Sequence, residues 1–183
     1  KLILKIDSSI NGRFAGNIED LLVLAASRYS TTKKAIDSEE QNIAHLEIGT
    51  LFGASAILTD YILKKLKSQN KFKNIMIDPL EGYYENSKDI ISGLAINKEI
   101  LMKNIKQFKI KNYKIINKYS TDKRAIQTAS SFKIVSLFID GDHSFSGIIN
   151  DWNNYNASVI IGGHIILDNV NDKNWPNIKI FIS

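Results

Sequence analysis

Short runs of β-branched and other apolar residues alternate along this chain with longer stretches in which apolar positions recur every three or four residues. The short runs are Ala44–Ile48, Asn74–Ile77, Tyr113–Ile116, Ile134–Ile139 and His164–Leu167. Each is nearly continuous in apolar residues, as strands covered on both faces should be. Between them, Ala54–Lys67 carries Ile57, Leu58, Tyr61, Ile62 and Leu66 on one stripe, and Phe145, Ile148, Ile149 and Trp152 follow the i, i+3, i+4, i+7 spacing of a helix. Ile90–Phe108 predicts a long amphipathic helix interrupted by Gly93. Ahead of the first strand, Ile18–Tyr29 predicts another helix, and the polar Ser30–Asn42 a linker or short helix.

Strands alternating with helices predict an α/β fold: a three-layer sandwich around a doubly wound, mostly parallel sheet, built by right-handed crossovers. The 183 residues suit a single domain over 1–183, with an N-terminal helical cap over 1–42 and a core over 43–183. In such sheets ligands bind outside the carboxyl ends of the strands. The polar motifs are therefore informative only if they fall there.

Composition narrows the function classes. Apolar residues make up 44% of the chain and no run reaches the eighteen or so residues of a membrane span. The opening Lys1-Leu2-Ile3-Leu4-Lys5-Ile6-Asp7 is too short and too charged for a signal peptide. The lack of cysteine excludes disulfides and thiolate metal sites and suits a cytoplasmic location. A net charge of +5 raises nucleic acid as a partner, but arginine occurs only at Arg13, Arg28 and Arg124. The densest basic group, Lys64, Lys65, Lys67, Lys71 and Lys73, falls at a helix end, where cations suit the dipole and solvent. Nucleic acid is therefore not the expected partner.

Four polar motifs do fall at strand ends. Glu47-Ile48-Gly49-Thr50-Leu51-Phe52-Gly53-Ala54-Ser55 leaves the first strand through two glycines and opens a helix whose free N–H groups can hold an anion. Leu51 stands where a dinucleotide fingerprint would have its second glycine. Asp78 closes the second strand, where a carboxylate can accept ribose hydroxyls or simply cap a turn. Phe138-Ile139-Asp140-Gly141-Asp142-His143 delivers two carboxylates and an imidazole at one strand end, and Ile166-Leu167-Asp168-Asn169 ends the next strand after a Gly162-Gly163 turn. Neighbouring parallel strands lie about 4.8 Å apart. Asp140 and the Asp168-Asn169 pair should therefore converge, as hard oxygen donors suited to magnesium, calcium or manganese.

In this order the motifs resemble those of the class I S-adenosylmethionine-dependent methyltransferases, and within them the metal-dependent small-molecule O-methyltransferases of the catechol, caffeoyl-CoA and macrolide-sugar types. The resemblance runs from about His45 to Val170. It implies a Rossmann-like methyltransferase fold in which Glu47, Gly49, Thr50, Gly53 and Ser55 line the methionine end of the cofactor, Asp78 takes the ribose hydroxyls, Ser120 sits near the adenine and Asp142 helps hold the cofactor. It implies a divalent metal, magnesium foremost, on Asp140, Asp168 and Asn169, with His143 as general base toward the hydroxyl of a small-molecule acceptor. Leu51 agrees with the metal-dependent subgroup, whereas Ser146 departs from the acidic residue common there. His45 and His164, placed at strand starts, are expected to be structural.

Relatives add two strands beyond this point, and Ile178–Ile182 offers room for one at most. The sheet is accordingly expected to lack its last strands or to be completed by a second subunit. Other readings of the same residues are a metal-dependent hydroxylase-like relative and a cofactor-binding module without turnover. Leu51 disfavours a dinucleotide dehydrogenase.

Overall fold

The structure, a computed structural model, describes residues 2–83 and 86–183. Its elements are α1 (Leu2–Ser9), α2 (Ile18–Ala35), β1 (Ile43–Ile48), α3 (Ala54–Lys65), β2 (Phe72–Ile77), α4 (Lys98–Gln107), β3 (Tyr113–Ile116), α5 (Lys123–Ser130), β4 (Lys133–Ile139), α6 (Phe145–Tyr155), a 3-10 turn over Asn156–Ser158, β5 (Val159–Leu167) and α7 (Pro176–Ile182). The five strands are all parallel and run β3-β2-β1-β4-β5 across the sheet.

Strand side chains alternate between two buried faces. Met76 and Phe138 join Leu21, Leu24, Phe52, Leu58 and Leu101 on the side covered by α1 to α4. Leu46, Ile48, Ile75, Ile77, Leu137 and Ile139 meet Ala125, Ala129 and Tyr155 from α5 and α6. This is the expected three-layer α/β sandwich. The lysines at the opposite end of the sheet serve it structurally: Lys64 donates to the Phe108 and Lys109 carbonyls and Lys71 to those of Ile36 and Ser38.

Four expectations need correction. The segment Ile90–Phe108 is helical only from Lys98. The Asn97 side chain accepts from Ile100 N–H and starts the helix there, while the buried Asp89 holds the preceding residues in a loop. Helix α2 continues through Ser30–Ala35, because Thr31 and Thr32 are buried beneath it and bond back to its own carbonyls. Strand β5 begins at Val159, so Gly162-Gly163 lies inside it. Its register with β4 jumps from Ile134↔Val159 to Ser136↔His164, bulging the glycines outward and leaving Ile161 fully exposed. Finally, Ile178–Ile182 is helical. Pro176 begins that turn, Ile178 is buried, and Phe181 packs edge-on against Trp152 of α6 at 5.5 Å.

Candidate functional site

The carboxyl ends of β1, β2, β4 and β5 meet because the loop after β1 can approach β4 closely. Gly49 has φ +80° and donates to the Ile77 carbonyl at 2.9 Å, and a Cβ at this position would lie 1.9 Å from the Asp140 carbonyl oxygen. Only glycine fits there. Gly53, at φ +84°, occupies the N-cap of α3 without any side-chain cap, so the first-turn N–H groups remain available to an anion.

Within this loop Ser55 Oγ donates to Glu47 Oε1 at 2.5 Å. Glu47 Oε2 and Thr50 Oγ1 are buried with no hydrogen-bond partner. Burial raises the Glu47 pKa, while the Ser55 bond, the charge of Arg28 and the nearby Thr50 hydroxyl oppose the rise. Asp78 Oδ2 accepts the Thr50 and Leu51 N–H groups at 2.7 and 2.9 Å, and its Oδ1 accepts Leu80 N–H at 2.7 Å. Asp78 thus ties the loop after β1 to the loop after β2, with one lone-pair direction left over for a ligand hydroxyl.

Asp140, His143 and Asp168 each offer a ligand atom, all within 4.8 Å of one another. Asp140 follows β4, Asp168 follows β5, and His143 Nε2 lies 3.3 Å from Asp140 Oδ1. Burial and the neighbouring carboxylate raise Asp168 to about 8, and burial raises Asp140 well above the ordinary carboxylate range. A cation would relieve that repulsion. Asn169, at φ +54°, donates from its amide nitrogen to Asp172 Oδ2 at 3.2 Å, a bond that does not involve its Oδ1. Trp175 meets the His143 ring edge-on at 4.9 Å. Burial lowers the His143 pKa against the pull of Asp168, Asp142 and Asp172.

Asp142 accepts from Ser144 N–H and Ser144 Oγ, both at 2.9 Å, which shapes the start of α6. Ser120, in the loop after β3, is half-buried, and its carbonyl accepts the Tyr155 hydroxyl at 2.6 Å. His45 is fully buried against Thr32 Oγ1, and His164 Nδ1 pairs with Ser27 Oγ. Both are structural, although His164 lies within β5 and not at its start.

Two residues at the site escaped the sequence reading. Arg28 of α2 is fully buried and reaches the Ser136 and Leu46 carbonyls at 2.5 and 3.0 Å. Asp151 of α6 is buried, with Oδ2 unpartnered and 3.1 Å from where a Gly141 Cβ would stand. A lone arginine or aspartate interrupting the apolar stripe of a helix is the available signal.

The sequence profile of the methyltransferase domain family matches residues 46–170. The chain is 34% identical over 142 residues to uncharacterized protein R132 of Acanthamoeba polyphaga mimivirus, covering 75% of this chain and 56% of that one, so it spans little more than half of that relative. Among solved structures it is similar to the calicheamicin methyltransferase CalS11, with a TM-score of 0.67 at 11% identity over 98% of this chain and 79% of that one. The apo form of CalS11, described as a TDP-rhamnose 3'-O-methyltransferase, gives a TM-score of 0.59 at 12% identity, over 98% of this chain and 80% of that one. At these identities the structural likeness speaks to fold alone.

Proposed function

Because the chain belongs to the methyltransferase domain family, matched over two thirds of its length, we propose that it transfers a methyl group from S-adenosylmethionine to a hydroxyl of a small sugar-like molecule, assisted by a divalent cation. The observation that carries this reading is the convergence of Asp140, His143 and Asp168 beside the loop after β1.

The residues present fit both groups. Glu47 Oε2 and Thr50 Oγ1 are buried polar atoms without partners, suited to the amino-acid end of the cofactor, and the uncapped start of α3 suits its carboxylate. Asp78, with one accepting direction left, would take a ribose hydroxyl, and Ser120, in the loop after β3, would lie toward the adenine. Asp140 and Asp168 supply hard anionic oxygens and Asn169 an amide oxygen, a donor set for magnesium or manganese.

When bound, S-adenosylmethionine supplies an electrophilic methyl group, and the cation supplies Lewis acidity toward the acceptor oxygen. The protein does the rest. His143 is held by Asp140 and walled by Trp175, and burial keeps it neutral, so its ring can accept the hydroxyl proton. The loop after β1 and the end of β4, in contact through Gly49, hold the two reactants at a fixed spacing. The sugar-like acceptor is suggested by what CalS11 is described as methylating.

Calorimetry with S-adenosylmethionine, followed by a methyl-transfer assay on nucleotide sugars and free deoxysugars with and without magnesium, tests the reading. Binding and magnesium-stimulated product are expected. Absence of cofactor binding, or turnover indifferent to Asp140→Ala, would sink it.

A further inference from the structure

Among the described residues Arg28 is the largest fully buried side chain, and its charge needs an explanation. It rises from α2 into a fault in the sheet. The β1–β4 register shifts between Ala44 and His45, so Ala44 pairs with Ile134 and His45 with Ser136, leaving Val135 as an extra residue. Arg28 donates to one carbonyl on each strand just past that fault, Ser136 of β4 and Leu46 of β1. Its Nε has no hydrogen-bond partner.

Leu46 precedes Glu47, which is equally buried. Burial lowers Arg28 to about 10, which leaves it cationic at neutral pH, and Glu47 is the acid that acts on it. His45, beside both, is pushed well below the ordinary histidine range by burial and by Arg28, so it adds no charge. Arg28 and Glu47 are thus both fully buried, and the geometric link between them is the carbonyl of Leu46, the residue before Glu47, which Arg28 holds at 3.0 Å. Glu47 spends one oxygen on Ser55, while Oε2 makes no hydrogen bond and has the Thr50 hydroxyl near the carboxylate.

We propose that Arg28 is a positioning residue for the amino-acid end of the cofactor, holding Glu47 as a buried carboxylate so that its Oε2 can accept the ligand's α-ammonium group. Without a cation at position 28, a fully buried Glu47 would take up a proton. A neutral acid there offers an ammonium group no charge. The inference rests on the cofactor reading proposed above.

The test is calorimetry with two ligands, S-adenosylhomocysteine, which carries the α-ammonium group, and 5′-methylthioadenosine, which lacks it. Arg28→Gln keeps a donor for one strand carbonyl but removes the charge. It is expected to weaken S-adenosylhomocysteine binding by at least about tenfold, the scale of a lost charge-assisted hydrogen bond, while 5′-methylthioadenosine is held as by the wild type. Arg28→Lys, which keeps the charge, is expected to retain most of the affinity. Unchanged S-adenosylhomocysteine binding by Arg28→Gln, or an equal loss of both ligands, overturns the inference.

Should Arg28→Gln fail to fold, the double variant Arg28→Gln with Glu47→Gln removes both charges together. It is expected to bind S-adenosylhomocysteine as Glu47→Gln alone does, and a further loss in the double variant overturns the inference. A wild-type protein that binds neither ligand overturns the cofactor reading itself, and this inference with it.

Discussion

Nε2 of His143 stands 3.3 Å from Oδ1 of Asp140, three residues upstream, on the turn between β4 and α6. That distance makes the carboxylate both a metal-ligand candidate and the group that orients the imidazole. The two roles are compatible, because a carboxylate can face a cation with one lone pair and a ring N–H with another.

His143→Gln should separate chemistry from binding. If the ring accepts the acceptor's proton, kcat falls by roughly 10²–10⁴-fold, while S-adenosylhomocysteine affinity, measured by calorimetry, stays within about twofold. Because burial lowers the histidine's pKa, the acidic limb of the wild-type rate profile should lie below the ordinary histidine range. A profile without such a limb, or an equal loss of binding and rate, would remove His143 from the chemistry.

Asp140→Asn and Asp168→Asn each remove one charge from the donor cluster. Either should raise the magnesium concentration for half-maximal activity by at least about tenfold. Chelation of the wild type should abolish activity and added magnesium restore it. Activity that survives exhaustive chelation would leave the cluster without a metal role.

Gly49→Ala and Gly162→Ala form a matched pair. Both positions have φ near +80°, but a Cβ at Gly49 would meet the Asp140 carbonyl at 1.9 Å, whereas nothing lies within 4 Å of one at Gly162. Backbone strain alone costs about 1 kcal/mol at Gly162, and the clash should bring the cost at Gly49 to at least about 3 kcal/mol. In thermal denaturation that is a drop of roughly 2–4 °C against one of roughly 6–12 °C for a domain of this size. Equal drops would mean that the loop after β1 does not press on β4.

Asp151→Asn tests a buried acid through pH. Burial raises Asp151 to about 6, opposed by Ser120 and reinforced by Asp142. A folded-state pKa above the unfolded value favours folding at low pH, and that contribution is lost as pH rises from about 4 through about 6. The shift corresponds to an upper bound of about 3 kcal/mol. Wild-type unfolding free energy, corrected for other groups by comparison with the variant, should therefore fall over that interval, and the asparagine variant should be the more stable at pH 8. Parallel curves for the two proteins would show that Asp151 ionises as it does when unfolded.

The motifs that build the site were legible because each is local. Glu47 to Ser55, Asp140 to His143 and Asp168-Asn169 are short segments that follow apolar runs, and a parallel sheet carries such segments to one edge whatever the details of packing. Positions fixed by distant partners were not legible. Asp78 reads as a ribose acceptor or a turn cap, and only the fold shows that three N–H groups from two loops occupy most of its accepting capacity.

By itself, then, the sequence determined the α/β architecture, the strand cores and which polar segments stand at their carboxyl ends, because hydrophobic periodicity and chain direction suffice for these. Tertiary structure alone decided that β5 runs through its two glycines, that Pro176–Ile182 coils onto α6, and that Arg28 lies buried on the carbonyl of Leu46, next in the chain to Glu47. Those outcomes depend on long-range pairing and on the cost of burying charge without compensation, and neither is written in any short stretch of chain.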